Sequence, residues 1–176
     1  MARIISWVVS AALLCPLAAL AHGPSRLKVQ EEMVVTAPPA KVWEIIKDFC
    51  AIEKWHPAIA KCEGKGGNEA DATRTLTLKE GGGTIEEKMK AYDAATMSYK
   101  YTIEQVDPKV LPVSNYQAGL SVAAEGSGSK ITWKAGFYRS YPNNNPPPEQ
   151  SDEAATKAVT GVLKSGLENL KKLSEQ

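Results

Sequence analysis

From Ser151 to the C-terminal Gln176 the apolar residues fall on a single stripe: Ala155, Val159, Val162, Leu163, Leu167 and Leu170. Spacing of three and four residues describes one face of a long amphipathic helix. Ser151 and Asp152 suit its N-cap, Glu153 its first turn and Lys171-Lys172 its last. Such a helix needs an apolar surface to lie on, and almost everything upstream is patterned as strand. The fold must therefore set one terminal helix against a sheet.

The strand signal is period two. Met97, Tyr99, Tyr101 and Ile103 alternate with Ser98, Lys100, Thr102 and Glu104, an antiparallel strand with one dry face. Tyr116, Ala118, Leu120 and Val122 repeat the pattern, as do Ile131, Trp133, Ala135 and Phe137. Earlier, Lys28 to Thr36 reads as a strand stopped by Ala37-Pro38-Pro39. Those prolines open a short helix carrying Val42, Trp43, Ile45, Ile46 and Phe49. A further helical turn, Ala51 to Trp55, ends at His56-Pro57. Ala72 to Lys79 carries Leu76 and Leu78 on one face, with Arg74 in the same parity, and Gly81-Gly82-Gly83 turns the chain toward Ile85, Glu87 and Met89. Tyr141 to Gln150 is too rich in proline and asparagine for regular structure. The fold class is α+β: a curved antiparallel sheet of about six or seven strands wrapped around the long C-terminal helix.

The helix offers small residues to the sheet (Ala154, Ala155, Ala158, Gly161, Gly166), and the sheet offers large ones. Two outcomes follow: a filled core or an apolar cavity ringed by aromatics. For a cavity, the candidate lining is Arg74, Leu76, Glu87, Met89, Tyr99, Tyr101, Tyr116 and Trp133 from the sheet, with Val159 and Leu163 from the helix. Glu87 points inward by parity. A carboxylate there either has a raised pKa suited to acid–base work or escapes to the rim by a slip of register. If Arg74 and Glu87 meet across the glycine turn, they form an ion pair inside the sheet or a polar anchor for a ligand.

The N-terminus carries an export pattern: Arg3, an apolar run from Ile4 to Leu20, and the small-x-small Ala19-Leu20-Ala21. Residues 1–21 are predicted to be a cleaved signal peptide, leaving one domain over 22–176 in the periplasm with no membrane span. Cys15 follows Leu13-Leu14, which does not fit a lipid-attachment box. With Lys and Arg totalling 21 against 20 acidic residues, the chain is near neutral and has no basic block. That argues against nucleic acid or an anionic membrane as main partner. Cys50 and Cys62 are left as either a disulfide or two separate thiols. Only two histidines exist, His22 and His56. His56, beside a proline at a helix end, is expected as a cap or surface contact, and no metal site or cofactor is predicted.

The segment Ala37-Pro38-Pro39-Ala40-Lys41-Val42-Trp43, continued by Asp48-Phe49 and Trp55-His56-Pro57, resembles the START/Bet v 1-like superfamily (SRPBCC, polyketide cyclase-like). The resemblance implies a helix-grip fold over essentially the whole mature chain. Size, export signal and the Trp-His-Pro segment most resemble the periplasmic MxaD proteins of methylotrophic bacteria. That implies a non-catalytic accessory role in methanol oxidation, with methanol dehydrogenase or its cytochrome c as partner. A carrier of a lipid or other hydrophobic small molecule is the alternative, and a cyclase or dehydratase using Glu87 is a further one.

Overall fold

Period-two alternation becomes a seven-stranded antiparallel sheet in the computed structural model, which describes residues 23–176. The segment predicted as signal peptide, residues 1–21, lies outside the described residues, as does His22. The strands are β1 (Leu27–Val35), β2 (Ile59–Lys65), β3 (Thr73–Leu78), β4 (Thr84–Asp93), β5 (Ser98–Val106), β6 (Val113–Glu125) and β7 (Gly128–Arg139). Their spatial order is β1-β7-β6-β5-β4-β3-β2, so β2 through β7 form a meander and β1 closes the far edge beside β7. Two short helices, α1 (Pro39–Ile46) and α2 (Ile52–Trp55), interrupt the chain after β1. The terminal helix α3 (Asp152–Ser174) runs across the inner face. This is the helix-grip arrangement.

The inward-facing set in the central strands matches the pattern read from sequence: Tyr99, Tyr101, Tyr116, Leu120, Ile131, Trp133 and Phe137 are all buried. Ala155, Val159, Leu163, Leu167 and Leu170 of α3 close the other side. Met97 departs from the prediction. It has a positive φ of 48° and sits in the turn before β5, half-buried, where its carbonyl accepts a hydrogen bond from the Val122 amide. A tight turn claims it before the strand begins.

β2 has no counterpart in the sequence reading. Only Ile59 in it is buried, so the edge strand shows no alternation to detect. It is tied down covalently, since Cys50, in a 3₁₀ turn at Phe49–Ala51, is disulfide-bonded to Cys62 with Cα atoms 5.6 Å apart. The Pro-Asn connector is fastened by Arg139. Its guanidinium donates to the carbonyls of Tyr141 (3.0 Å) and Asn143 (2.8 Å) and to Asp152 Oδ1 at the start of α3 (3.0 Å). At the other end of α3, the Glu175 carboxylate accepts from the Thr36 amide at 2.9 Å. Both ends of the gripped helix are thus anchored by side chains. Among the described residues no helix is long and apolar enough to cross a membrane.

Candidate functional site

Bending a sheet around a helix leaves the interior unevenly filled. On one side Trp43 and Phe49 pack against Tyr99, with ring centroids 6.4 and 6.1 Å away, and close the space. On the other a cavity of about 90 Å³ remains. Leu76, Glu87, Tyr101, Tyr116 and Trp133 line it from five successive strands, with Val162 of α3 opposite. Ile52, His56, Ile59 and Leu111 complete the buried wall. Leu78, Ile85, Ile103 and Val110 are half-buried and form its mouth. There the glycine turn meets the loop after β5: a Cβ on Gly83 would lie 2.8 Å from Val110 Cγ2.

Half of the predicted lining therefore faces this space. Arg74, Met89, Tyr99, Val159 and Leu163 are buried beside it but form no part of the wall. For the helix pair the reason is angular. Val162 precedes Leu163 by one residue, about 100° of helix rotation, and that rotation turns Val162 toward the cavity. Gly161, expected on the inner side, is exposed, whereas Gly166 is buried. The mouth residues escaped notice because half-buried Ile and Val at strand ends look like ordinary alternation.

Arg74 and Glu87 stand directly opposite each other in the β3–β4 register. Arg74 Nε donates to Glu87 Oε2 at 2.6 Å, and both side chains are almost wholly shielded from water. Arg74 Nη1 donates to the Phe49 carbonyl, and the guanidinium carbon lies 3.8 Å from the Phe49 ring centroid. Arg74 is held charged by the carboxylate and the ring faces around it. Burial raises the Glu87 carboxyl above its ordinary value, while Arg74 pulls the other way. Although β4 shifts register against β5 between Glu86 and Glu87, Glu87 is not turned out to the rim; the carboxylate is inside and paired.

His56 is a helix cap, one of its two expected roles, but it is not the surface contact that was the other. It occupies the C-cap position of α2 and is buried. Its Nδ1 accepts the Ala58 amide at 3.2 Å, which leaves the proton on Nε2, and that nitrogen donates to the Val162 carbonyl at 3.1 Å. Burial lowers its pKa to about 4, so the ring is neutral. The space for it comes from Gly166, since a Cβ there would lie 2.8 Å from His56 Cδ2 and 2.7 Å from Trp133 Cζ3.

The hydroxyls at the cavity are neutral as well. Burial raises Tyr101 and Tyr116 well above the usual phenol value and brings neighbouring Tyr99 to about 12. Trp133 Nε1 donates to the Tyr101 hydroxyl at 3.1 Å. The wall is thus apolar carbon with a few phenol and imidazole edges, and every charged group next to it has a partner. No group of three or more His, Cys, Asp and Glu able to hold a metal is found among the described residues.

The sequence pattern of the family described as "Polyketide cyclase / dehydrase and lipid transport" matches residues 26–175. No curated protein matches the chain. Among solved structures, the protein XoxI from Bacillus cereus superposes with a TM-score of 0.70 at 25% identity, covering 84% of this chain and 94% of that one. Norcoclaurine synthase of Thalictrum flavum, solved as a point mutant with a transition-state analogue, gives 0.65 at 18% identity, covering 86% and 95%. Ara h 8.0201 gives 0.66 at 24% identity, covering 85% and 98%. The last two share the fold. With its seven-stranded sheet gripping α3 and the family pattern spanning nearly all described residues, the chain belongs to the polyketide cyclase / dehydrase and lipid transport family.

Proposed function

We propose that this protein binds a small hydrophobic molecule in the cavity beneath Val162 and does not transform it, working as a carrier in the periplasm. The observation that carries the proposal is the largely apolar wall, whose few polar groups are mostly held. Glu87 is engaged by Arg74, and both nitrogens of His56 are engaged by backbone. A general base needs a free lone pair aimed at the substrate; His56 has none left, and Glu87, whose Oε1 stays unpaired, is held at Oε2 by the Arg74 cation, which weakens it as a base. The apolar wall, by contrast, is continuous. At about 90 Å³ the cavity is smaller than a whole-ligand pocket. It suits a ring or a short acyl end, with the remainder of the molecule lying in the half-buried mouth. The Cys50–Cys62 disulfide supports an oxidising compartment, in keeping with the export pattern of residues 1–21.

The test is a binding assay with an environment-sensitive apolar dye, displaced by aromatic and short-chain acids. Ile103 at the mouth is only half-buried, so Ile103→Trp blocks entry without opening the core. Wild-type protein is expected to bind and be displaced, while Ile103→Trp binds at least tenfold more weakly at unchanged melting temperature. Equal binding by both would remove the cavity from the account.

The Trp55-His56-Pro57 segment suggests a second role, as an accessory beside methanol dehydrogenase and its cytochrome c. In this structure Trp55 and His56 are buried and serve the core, so the segment itself offers a partner little beyond Pro57. The cavity reading is therefore preferred. Co-purification of methanol dehydrogenase from periplasmic extract would reverse that preference.

A further inference from the structure

The outer face of the sheet has its own concavity, of about 510 Å³, on the side away from α3. Its cations are Arg26, Lys28, Lys90, Lys100 and Lys134, and no carboxylate lines it. In a chain with 21 basic and 20 acidic residues that is a strong local imbalance. None of the four lysines has a salt-bridge partner among the described residues, although Lys88 and Lys130 nearby do. Like charges crowded on one sheet face destabilise it, so the arrangement works against stability.

Strand register explains the shape. Gly119 of β6 faces Lys100 of β5 on one side and Lys134 of β7 on the other. One step along, Gln117 faces Gly136, which faces Lys28 of β1. Gly119 thus leaves bare backbone as a floor, while the Arg26 guanidinium lies over Gly136, and lysines rise from the strands on either side of β6, about 10 Å apart across two strand spacings. A bulge in β4 between Met89 and Ala91 turns Lys90 out beside Lys100. Arg26 closes one end, donating to the Gly136 carbonyl at 3.2 Å and to Gln117 Oε1 at 3.4 Å.

We propose that this groove docks an extended acidic peptide segment of a partner protein, laid along β6 with its carboxylates reaching Lys100 on one side and Lys134 on the other. At Gly119 the trough is one strand wide, has backbone at its base and cations on both walls, which matches an extended run of consecutive acidic residues, whose side chains point left and right in turn. A bilayer would meet a different surface, since the only large exposed hydrophobic side chain among the described residues is Val34, outside the groove.

The experiment uses fluorescence polarisation with a labelled peptide of about ten consecutive Glu residues, and a Gln-for-Glu version as control. Binding to wild-type protein is expected to weaken at least about tenfold between roughly 20 mM and 300 mM salt. Lys100→Glu with Lys134→Glu should weaken it by a similar factor, and Lys157→Glu with Lys172→Glu, on α3, should not. Gly119→Val supplies an uncharged test: a Cβ there makes only ordinary contacts, 3.5 Å to Lys100 Cγ, so it fills the floor while the fold stands. If the charge-reversed pair lowers the melting temperature, Lys100→Gln with Lys134→Gln replaces it. The proposal is overturned if the peptide does not bind, if the α3 reversal weakens binding equally, or if Gly119→Val has no effect. Competition by tripolyphosphate or phosphatidylserine vesicles, with no peptide binding, overturns it as well.

Discussion

His56 shows how one buried side chain can set a pH limit for the whole fold. Its pKa is about 4 in the native protein against an ordinary 6.5. Above pH 6.5 both folded and unfolded chains hold the ring neutral, and stability is complete. As pH falls from 6.5 toward 4, the unfolded chain takes up a proton that the native chain refuses, so stability is lost. The loss amounts to about 3 kcal/mol at most. Chemical denaturation of wild type and His56→Gln across this window should show the difference between them shrinking as pH falls; parallel curves would contradict the buried neutral ring. Glu87 makes a sharper case. Replacing it with Gln leaves Arg74 charged in a dry interior, with an expected cost of roughly 3–5 kcal/mol. Replacing both partners, as Arg74→Met with Glu87→Leu, should recover most of that in urea melts. A cost under about 1 kcal/mol for Glu87→Gln would mean water reaches the pair.

Among the elements, α3 carries two glycines with opposite expected responses. Gly161 is exposed, with nothing within 4 Å of an added Cβ, so Gly161→Ala should stabilise by up to about 1 kcal/mol through helix propensity alone. Gly166→Ala gains the same propensity but drives a methyl into the Trp133 and His56 rings, and should destabilise by about 1–2 kcal/mol net. Thermal melts of the two variants moving in the same direction would refute the packing described. The edge strand β2 depends on its covalent tie. Reducing Cys50–Cys62 should lower stability by about 3 kcal/mol, the loop-closure value for a separation of 12 residues, with hydrogen exchange quickening first in β2. The sequence also divides at this scale. β5, β6 and β7 were legible because one face is dry and the other wet. β2 was not, because five of its seven residues are exposed and only Ile59 is fully buried. α3 was legible in extent, but the face Val162 presents depends on where the sheet bends.

At the scale of the molecule, the fold class, six of the seven strands and the terminal helix could all be read from period and order. The site was half legible. Parity placed Leu76, Glu87, Tyr101, Tyr116 and Trp133 on the inner face, and they do meet around one space. Parity says only which face a residue takes, not which part of that face stays open. That depends on Trp43 and Phe49 filling one side and on loops far apart in sequence meeting at Gly83 and Val110. The burial of His56 was missed for a related reason: its partners, Val162 and Gly166, lie more than a hundred residues downstream.

Tyr101, Tyr116 and Trp133 each sit next in the chain to a residue of the outer groove: Lys100, Gln117 and Lys134. Inner wall and outer trough are therefore written in the same short stretches of chain, one residue apart. Deleting a single residue just before Tyr116 in β6 would roll its phenol toward water and the Gln117 amide into the interior at once. The two surfaces can drift in composition but not in phase, and neither can be re-cut without disturbing the other.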